Sequence, residues 1–202
     1  MREGLARLIN DECDLRVSGS AATAAELRVV VSRQPPCVVV MELMLHEDDG
    51  LALIKDVLTL VPDLKIVVFT IQPEDVYAAR CLRAGARAFV AKRDSVSTLL
   101  RAIRETASGG VVVPPGLAHA AFGLAQNSDR KADGVTAQLT NRELQVFRLA
   151  GQALPTRVIA GKLGVSIKTV ETHRENIKNK LNLCSHAELV ARAAQWLRDS
   201  GS

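Results

Sequence analysis

The sequence predicts an α/β domain followed by a smaller, all-α domain of four helices. Between residues 1 and 107, amphipathic segments alternate with short apolar runs, which is the pattern of helices covering a parallel sheet. Between residues 139 and 202, the apolar residues recur only at helical spacing. The two regions also differ in charge. From Thr140 onward ten Lys/Arg stand against five Asp/Glu, whereas the preceding part carries sixteen against seventeen.

Composition limits the classes of function that are possible. The chain has 202 residues and is 48% hydrophobic, enough for a folded core in one large or two ordinary domains. The aromatic content of 3% argues against an aromatic-lined pocket and against a protein that stacks on bases. No leader and no apolar run of the ~18 residues that a membrane span needs is present, which predicts a soluble, cytoplasmic protein. Four scattered cysteines without metal-ligand spacing predict reduced thiols and no metal or other cofactor: Cys13, Cys37, Cys81 and Cys184.

In the first region the predicted elements alternate along the chain. The helices are predicted over Arg2–Asp11, Ala24–Val31, Leu51–Leu60, Glu74–Ala84 and Ser95–Ala107. The strands are predicted over Leu15–Ala21, Cys37–Leu45, Lys65–Ile71 and Ala88–Ala91. The second and third strands are continuous apolar runs, typical of strands buried on both faces.

Three polar residues fall at the carboxyl ends of consecutive predicted strands. They are Glu42, Thr70 and Lys92. Because functional sites in open α/β sheets lie at this edge, the three side chains form the candidate site of the first region.

The segments around these residues resemble a known family. The stretches 38–50 (VVVMELMLHEDDG), 67–70 (VVFT) and 84–92 (AGARAFVAK) are similar to the receiver domain of response regulators. The resemblance implies that Glu42 stands where the family has a phosphate-accepting Asp. It also implies that Thr70 and Lys92 contact the phosphate and that Phe89 is the aromatic residue whose packing reports the switch.

Two departures from the receiver pattern predict a protein that works without phosphorylation. Glu42 is one methylene longer than the Asp that accepts the phosphoryl group in line. The first predicted helix matches the family's first helix, so the family's first strand and its acidic Mg²⁺-binding pair have no counterpart. Asp48 and Asp49 beside Gly50 are better explained as turn residues than as substitutes.

Two questions stay open at this point. Lys92 either pairs with Glu42 as an internal ion pair on an inherited scaffold, or Glu42 imitates a phosphorylated Asp and holds the domain in its active form. The absence of a central strand leaves two strand edges unpaired. Either the remaining strands re-pair, or the recorded start lies downstream of the true one.

The connection between the two domains is predicted from composition. Residues 1–125 form the receiver-like domain, with His119 and Phe122 in a short apolar extension of it. Residues 126–138 are polar and have the composition of a tether. Residues 139–202 form the helical domain.

Within the helical domain, two helices joined by a tight turn predict a helix-turn-helix. Pro155–Leu163 is a short helix, Gly164 supplies the turn, and Ser166 can cap a second helix that runs to Leu181. Val170, Ile177 and Leu181 fall on the inner face of that helix, and its other face is polar. This arrangement places a helix in a DNA major groove. The flanking helices each begin with a predicted capping box, Thr140 to Glu143 and Ser185 to Glu188.

The helical domain resembles the LuxR-type DNA-binding domain. The stretches 139–149, 158–173 and 177–181 carry the resemblance, and together with the receiver-like part they are similar to the NarL/FixJ architecture. The resemblance implies contacts to bases from Glu171, Thr172 and Glu175. The resemblance places five further residues near phosphates: Arg157, Lys168, Thr169, His173 and Lys178. Ser166 and Arg174 are also predicted to belong to the DNA-binding site.

Simpler interpretations compete at some of these positions. Glu171 and Glu175 could pair along the helix with Arg174 and Lys178 instead of contacting bases. His173 is as well explained by packing as by phosphate contact. Trp196 on the last helix is better explained by packing or a dimer contact than by chemistry.

The function predicted from these observations is that of a homodimeric, sequence-specific transcription regulator that binds an inverted repeat in double-stranded DNA. RNA polymerase or a partner regulator is a possible protein contact. No nucleophile–base pair and no phosphate-binding Gly loop is found, so an enzyme is not expected. The alternative is a protein–protein adaptor that titrates a partner regulator through its receiver-like domain.

Overall fold

The computed structural model describes residues 2–45, 48–114, 136 and 138–200. The chain divides into two compact units, Met1–Ser128 and Asp129–Ser202, and each is described by itself. The predicted tether and the predicted apolar extension with His119 and Phe122 lie almost wholly outside the described residues.

The first unit is an α/β domain whose elements follow the predicted order. Its helices are α1 (Arg2–Asn10), α2 (Ala24–Arg33), α3 (Gly50–Leu60), α4 (Glu74–Ala84) and α5 (Val96–Ala107). Its strands are β1 (Val38–Met41), β2 (Met44–Leu45), β3 (Asp48–Asp49), β4 (Lys65–Thr70) and β5 (Ala88–Ala91). The helices agree with the prediction to within two residues at each end, because their caps and apolar spacing are local signals. Thr23, Asp49 and Ser95 cap α2, α3 and α5 through their side-chain oxygens.

Three strands form a parallel sheet in the order β1-β4-β5. Val38 lies opposite Lys65, and Val67 lies opposite Ala88. A single parallel bridge from Ala88 to Val112 continues the sheet beyond β5. The parallel sheet confirms the α/β prediction and brings the ends of β1, β4 and β5 to one edge.

The predicted strand over Cys37–Leu45 is interrupted. The ladder with β4 ends at Met41, and β2 instead pairs antiparallel with β3. The break has a local cause, because the backbone N–H groups of Leu43 and Met44 donate to the Glu42 carboxylate and not to a strand. Gly50 follows the hairpin where a Cβ would lie 2.1 Å from the Leu43 carbonyl oxygen.

The predicted strand over Leu15–Ala21 is wrong. The segment is irregular, and its Val17 N–H donates to the Asn10 side chain at 2.8 Å. A strand needs a neighbour to receive its ladder, and within the described residues β1 pairs with β4 alone. Of the two alternatives for the unpaired strand edges, re-pairing is not what the described residues show, since β1 is an edge strand of the parallel sheet.

The main core of the first unit lies between the sheet and two helices. A buried cluster joins Val67 and Val90 of the strands to Leu99 and Ile103 of α5. Leu5 and Ile9 of α1 pack against the same cluster. Buried apolar side chains of α3 and α4 complete the interior: Leu53, Ile54, Val57, Tyr77, Ala78 and Cys81.

The second unit consists of α6 (Asn141–Gly151), α7 (Thr156–Leu163), α8 (Ile167–Leu181) and α9 (His186–Ser200). The helix α6 packs against α9 and α8, and α7 packs against α8. Gly151 permits the close approach of α9, because a Cβ there would lie 2.7 Å from the backbone of Ala193. Val170 and Ile177 are fully buried and Leu181 is half-buried, which confirms the predicted inner face of α8, and Leu189 of α9 is fully buried as well.

One predicted capping box is confirmed and the other is altered. Thr140 accepts from the Glu143 N–H at 3.3 Å, and Glu143 accepts from the Thr140 N–H at 2.8 Å. Ser185 accepts from the Glu188 N–H at 3.1 Å, but the Glu188 carboxylate reaches one residue further, to the Cys184 N–H. The second motif thus stabilises both the first turn of α9 and the residues that directly precede this helix.

Candidate functional site

The carboxyl edge of the parallel sheet brings together Glu42, Thr70 and Lys92, as predicted. Glu42 follows β1 directly, Thr70 is the last residue of β4, and Lys92 follows β5. Thr70 is fully buried, whereas the side chains of Glu42 and Lys92 are 22% and 15% exposed. The three groups lie in a partly dry environment, where charge–charge and hydrogen-bond interactions are stronger than in open water.

Four donors converge on the Glu42 carboxylate. Lys92 Nζ lies 2.5 Å from Oε2, and the Thr70 hydroxyl donates to Oε1. The backbone N–H groups of Leu43 and Met44 donate to Oε1 at 2.8 and 3.3 Å. The predicted internal ion pair is present, and the Glu42 carboxylate is the common acceptor of all four donors.

Three partners of this cluster are not predictable from the sequence. Two are the backbone N–H groups of Leu43 and Met44, because nearly every residue has such a group and the side-chain type does not show which one donates. The third is Phe69, whose ring centroid lies 5.8 Å from Lys92 Nζ, within range of a cation–π interaction. The alternation of a strand could have placed Phe69 on one face but not beneath that ammonium group. Phe89, the predicted switch aromatic, is buried in β5 at 2% exposure.

The family whose residues stand at this edge uses Mg²⁺, and the donor set here does not fit that ion. A divalent magnesium site needs several free oxygen ligands in octahedral geometry. The Glu42 oxygens already hold Lys92 and Thr70, and Asp49 Oδ1 accepts from the Leu51 N–H as the cap of α3. Within residues 2–45, 48–114 and 138–200, no group of three His, Cys, Asp or Glu side chains could hold a metal ion.

The second candidate site is the outward face of α8. Ser166 caps the helix by accepting from the Thr169 N–H at 3.0 Å, as predicted. The exposed side chains of this face are those of Lys168, Glu171, Thr172 and Glu175. Thr169, His173 and Lys178 are half-buried, and Arg157 on α7 is exposed. The predicted polar face therefore exists as an accessible surface at the second helix of the helix-turn-helix.

Some side chains on this face already have a hydrogen-bond or ion-pair partner within the protein, and others have none among the described residues. The Thr172 hydroxyl donates to the Lys168 carbonyl at 3.0 Å. Lys178 Nζ lies 2.8 Å from Glu175 Oε1, so the predicted pairing along the helix is present for Glu175. Among the described residues, no cation lies within ion-pair distance of the Glu171 carboxylate.

Arg174, predicted among the DNA-contact residues, is turned inward in this structure. The residue is 9% exposed, and its guanidinium donates to the Thr156 hydroxyl at 2.6 Å. The same guanidinium nitrogen lies 3.3 Å from His186 Nε2. Burial lowers the pKa of the Arg174 guanidinium. Helical spacing located this residue on α8 but not its depth, and the side chain ties α7 to α9 in the interior.

His173 is half-buried, and burial lowers the pKa of its imidazole. The charge of Glu143 opposes this shift, and those of Arg142 and Lys180 add to it. Lys180 Nζ lies 2.6 Å from the buried Glu143 carboxylate, which also takes part in the capping box. The ion pair between Lys180 of α8 and Glu143 of α6 therefore joins these two helices.

Comparison with known proteins gives matches over both units. Residues 1–104 match the response regulator receiver domain, and residues 137–193 match the luxR family of bacterial regulatory proteins. The oxygen regulatory protein NreC of Staphylococcus carnosus is 30% identical over 94% of this chain and 90% of its own length. The chain belongs to the NarL/FixJ type of response regulators.

Other relatives of this response regulator agree with the assignment. Response regulator GacA of Pseudomonas aeruginosa is 29% identical over 96% of this chain and 91% of its own length. The structure of RcsB from Salmonella enterica serovar Typhimurium bound to promoter rprA has the same fold. It aligns with a TM-score of 0.56 at 20% identity, covering 95% of this chain and 92% of that one. The family consists of DNA-binding transcription regulators, which are not enzymes.

Two further observations complete the description of the response regulator. The Trp196 ring packs against Phe147 with centroids 6.0 Å apart, so the predicted packing of Trp196 is confirmed. Among the described helices, none combines the length and hydropathy that crossing a bilayer requires.

Proposed function

We propose that this response regulator is a sequence-specific transcription factor whose α8 enters the DNA major groove. The observation that carries the proposal is the accessible polar face of α8, presented by a capped helix behind a Gly164 turn with φ of 65°. The turn needs a left-handed residue, which glycine supplies without strain. The basic balance of the C-terminal region, with ten Lys/Arg, supplies attraction to phosphates.

The proposed contacts divide by chemistry. Lys168 at the exposed start of α8 and Arg157 on α7 contact phosphates, since their charges are unshielded there. Four other residues of the site are proposed to lie close to the phosphate backbone of the DNA: Ser166, Thr169, His173 and Lys178. Glu171 and Thr172 are proposed to contact base edges, which fits their exposure along one side of the helix. Glu175, predicted for the same role, is exposed on that side but paired with Lys178, and it is proposed to make no base contact.

The protein is proposed to act as a homodimer on an inverted repeat. The RcsB relatives include a structure of two dimers bound to two parallel DNAs. A two-fold dimer presents two recognition helices in opposite directions, so its site is two half-sites related by the same symmetry. Its place of action is proposed to be the cytoplasm, with RNA polymerase or a partner regulator as further contacts.

The proposed activity does not depend on phosphorylation. The Glu42 carboxylate already takes Thr70, Lys92 and the N–H groups of residues 43 and 44, the donors available at this edge. The shared chemistry of a carboxylate and a phosphoryl oxygen, both anionic acceptors, supports the view that Glu42 stands in for the phosphorylated group. The poor fit of Mg²⁺ to the edge is a second, independent support.

Incubation with acetyl phosphate and Mg²⁺ tests this part of the proposal. We expect no gain of a phosphoryl mass and the same affinity for DNA before and after treatment. Glu42→Ala removes the anion from the cluster and is expected to weaken DNA binding without loss of folding. A mass gain that Glu42→Ala abolishes would show that Glu42 is an acceptor and would overturn the proposal.

Footprinting of genomic fragments at physiological salt tests the function as a whole. We expect protection of a short inverted repeat at protein concentrations where scrambled DNA stays unprotected. An adaptor that acts only through its receiver-like domain would bind DNA weakly and without regard to sequence. Sequence-indifferent binding by the folded full-length chain would therefore favour the adaptor.

A further inference from the structure

The two acidic side chains on the exposed face of α8 are not equivalent. Glu171 and Glu175 lie one helical turn apart. Glu175 Oε1 lies 2.8 Å from Lys178 Nζ, so this carboxylate has a cationic partner on the same helix. Within the part of the chain that the structure describes, the Glu171 carboxylate has no such partner. Its charge acts on the guanidinium of Arg174, which is buried and bonded to Thr156.

Thr172, next to Glu171, has its hydroxyl proton engaged. The hydroxyl donates to the Lys168 carbonyl within the helix, at 3.0 Å. What remains for an outside partner is the methyl group and the lone pairs of the oxygen. An outward methyl group matches the C5-methyl of thymine, the one apolar group on a base edge in the major groove.

A free carboxylate between two rows of phosphates is repelled unless it accepts a hydrogen bond. The donors that base edges offer in the major groove are the N4 amino group of cytosine and the N6 amino group of adenine. Adenine places its N7 acceptor beside that amino group, whereas cytosine places an apolar C5–H there. Guanine presents two acceptors and repels a carboxylate. Cytosine is therefore the base that a lone, uncommitted carboxylate fits best.

From these three steps we infer that Glu171 sets the base preference of this protein by accepting a hydrogen bond from the N4 amino group of a cytosine in each half-site. Thr172 packs its methyl group against a neighbouring thymine, and Glu175 remains held by Lys178 and contributes no base preference. The inference rests on the proposed function, since it assumes that α8 lies in the major groove.

Selection from a random duplex library with the full-length chain tests the inference. Wild type is compared with Glu171→Ala and with Glu175→Ala, a matched control with the same chemical change one turn along the same helix. We expect wild type to enrich a motif with a fixed cytosine in each half-site. Glu171→Ala removes the acceptor and lowers the preference for that cytosine by about tenfold, the size expected for one side-chain contact to a base edge. Glu175→Ala enriches the wild-type motif.

An atom-level probe sharpens the result. Replacing the fixed cytosine by pyrimidin-2-one removes the N4 amino group alone. We expect this to weaken binding of wild type by about tenfold and to leave the affinity of Glu171→Ala, which has no side-chain acceptor, unchanged.

Each other outcome is decisive. If Glu171→Ala enriches the wild-type motif with its cytosine intact, or if both Ala variants change the motif alike, the inference is wrong while the proposed function stands. If folded wild type enriches no motif at all, the proposed function fails and the inference fails with it. Circular dichroism confirms folding, and both substitutions are at exposed helix positions.

Discussion

The carboxylate of Glu42 shows how much one side chain can determine at the edge of a sheet. Its two oxygens take a hydroxyl, an ammonium group and two backbone N–H groups from three successive strand ends. The same bonds end β1 early and anchor the start of the β2–β3 hairpin. Glu42, which stands at the phosphate-acceptor position of the family, therefore organises the hydrogen bonds at this edge of the sheet.

Glu42→Gln is expected to lower the free energy of unfolding of the first unit by about 2 kcal/mol, because the ion pair with Lys92 is lost and the remaining hydrogen bonds no longer involve a charged group. Urea denaturation followed by circular dichroism measures the change. Asp56→Asn is the control, since it breaks the exposed ion pair with Arg28. That change should cost no more than about 1 kcal/mol. Equal effects of the two substitutions would contradict the central place given to Glu42.

Two histidines in the second unit predict a dependence of stability on pH. Burial lowers the pKa of His173 and of His186 below the ordinary value of 6.5, and the charges of Arg174 and Lys178 add to the shift at His186. Between the lowered pKa and 6.5, the unfolded chain binds more protons than the folded one. The stabilisation is fully present above pH 6.5 and is lost as the pH falls toward the folded pKa.

Urea denaturation at pH 7.5 and pH 5.5 measures this effect for wild type and for His173→Gln. We expect wild type to lose stability over that interval and the variant to lose less. The same loss in both proteins would show that His173 does not carry the effect.

At single residues, sequence and structure agree where chemistry is local and differ where depth matters. Ser166, Thr140 and Glu143 were predicted as caps, because a cap depends on residues three positions apart. Arg174 is predicted with the DNA-contact residues but lies buried, since spacing along a helix does not tell how far a long side chain reaches inward. The proposed DNA contacts of the exposed residues remain predictions.

At the scale of elements, the helices could be predicted closely and the strands less so. A helix satisfies its own backbone, whereas a strand depends on a neighbour distant in sequence. Leu15–Ala21 has the alternation of a strand but no partner beside β1, so it stays irregular. The run Cys37–Leu45 has the composition of one strand, but the Glu42 side chain divides it.

The packing of α6 against α9 gives a prediction at this scale. A Cβ on Gly151 would lie 2.7 Å from the backbone of Ala193 and 2.9 Å from Leu197 Cδ1. Gly151→Ala must therefore push the two helices apart and is expected to cost about 1–3 kcal/mol in unfolding free energy.

Gly161→Ala is the matched control for that prediction. Gly161 lies within α7, and a Cβ there meets nothing within 4 Å. The better helix propensity of alanine should leave stability unchanged or raise it by up to about 1 kcal/mol. Thermal unfolding of both variants separates crowding from propensity, and a loss at both positions would argue against the close approach of α6 and α9.

On the scale of the whole molecule, the excess of positive charge lies in the part that is proposed to meet DNA. Lys168→Ala removes one proposed phosphate contact. It should weaken binding to all sequences alike and reduce the slope of log affinity against log salt by about 0.9. Gel shifts at several salt concentrations measure both quantities.

Lys55→Ala serves as the control for charge alone, because Lys55 is an exposed cation on α3 of the other unit. It should leave the salt slope unchanged. An unaltered slope for Lys168→Ala would remove Lys168 from the phosphate contacts, and equal changes in both variants would point to net charge alone.

The anion at the sheet edge belongs to the polypeptide itself. A phosphoryl group leaves by hydrolysis and so limits how long a signal lasts, whereas the Glu42 side chain persists for the lifetime of the chain. Under the proposed function, the cell would turn this regulator on by translating it and off by proteolysis or dilution at division. The duration of its activity would then depend on messenger abundance and protein turnover, and not on the lifetime of a phosphoryl group.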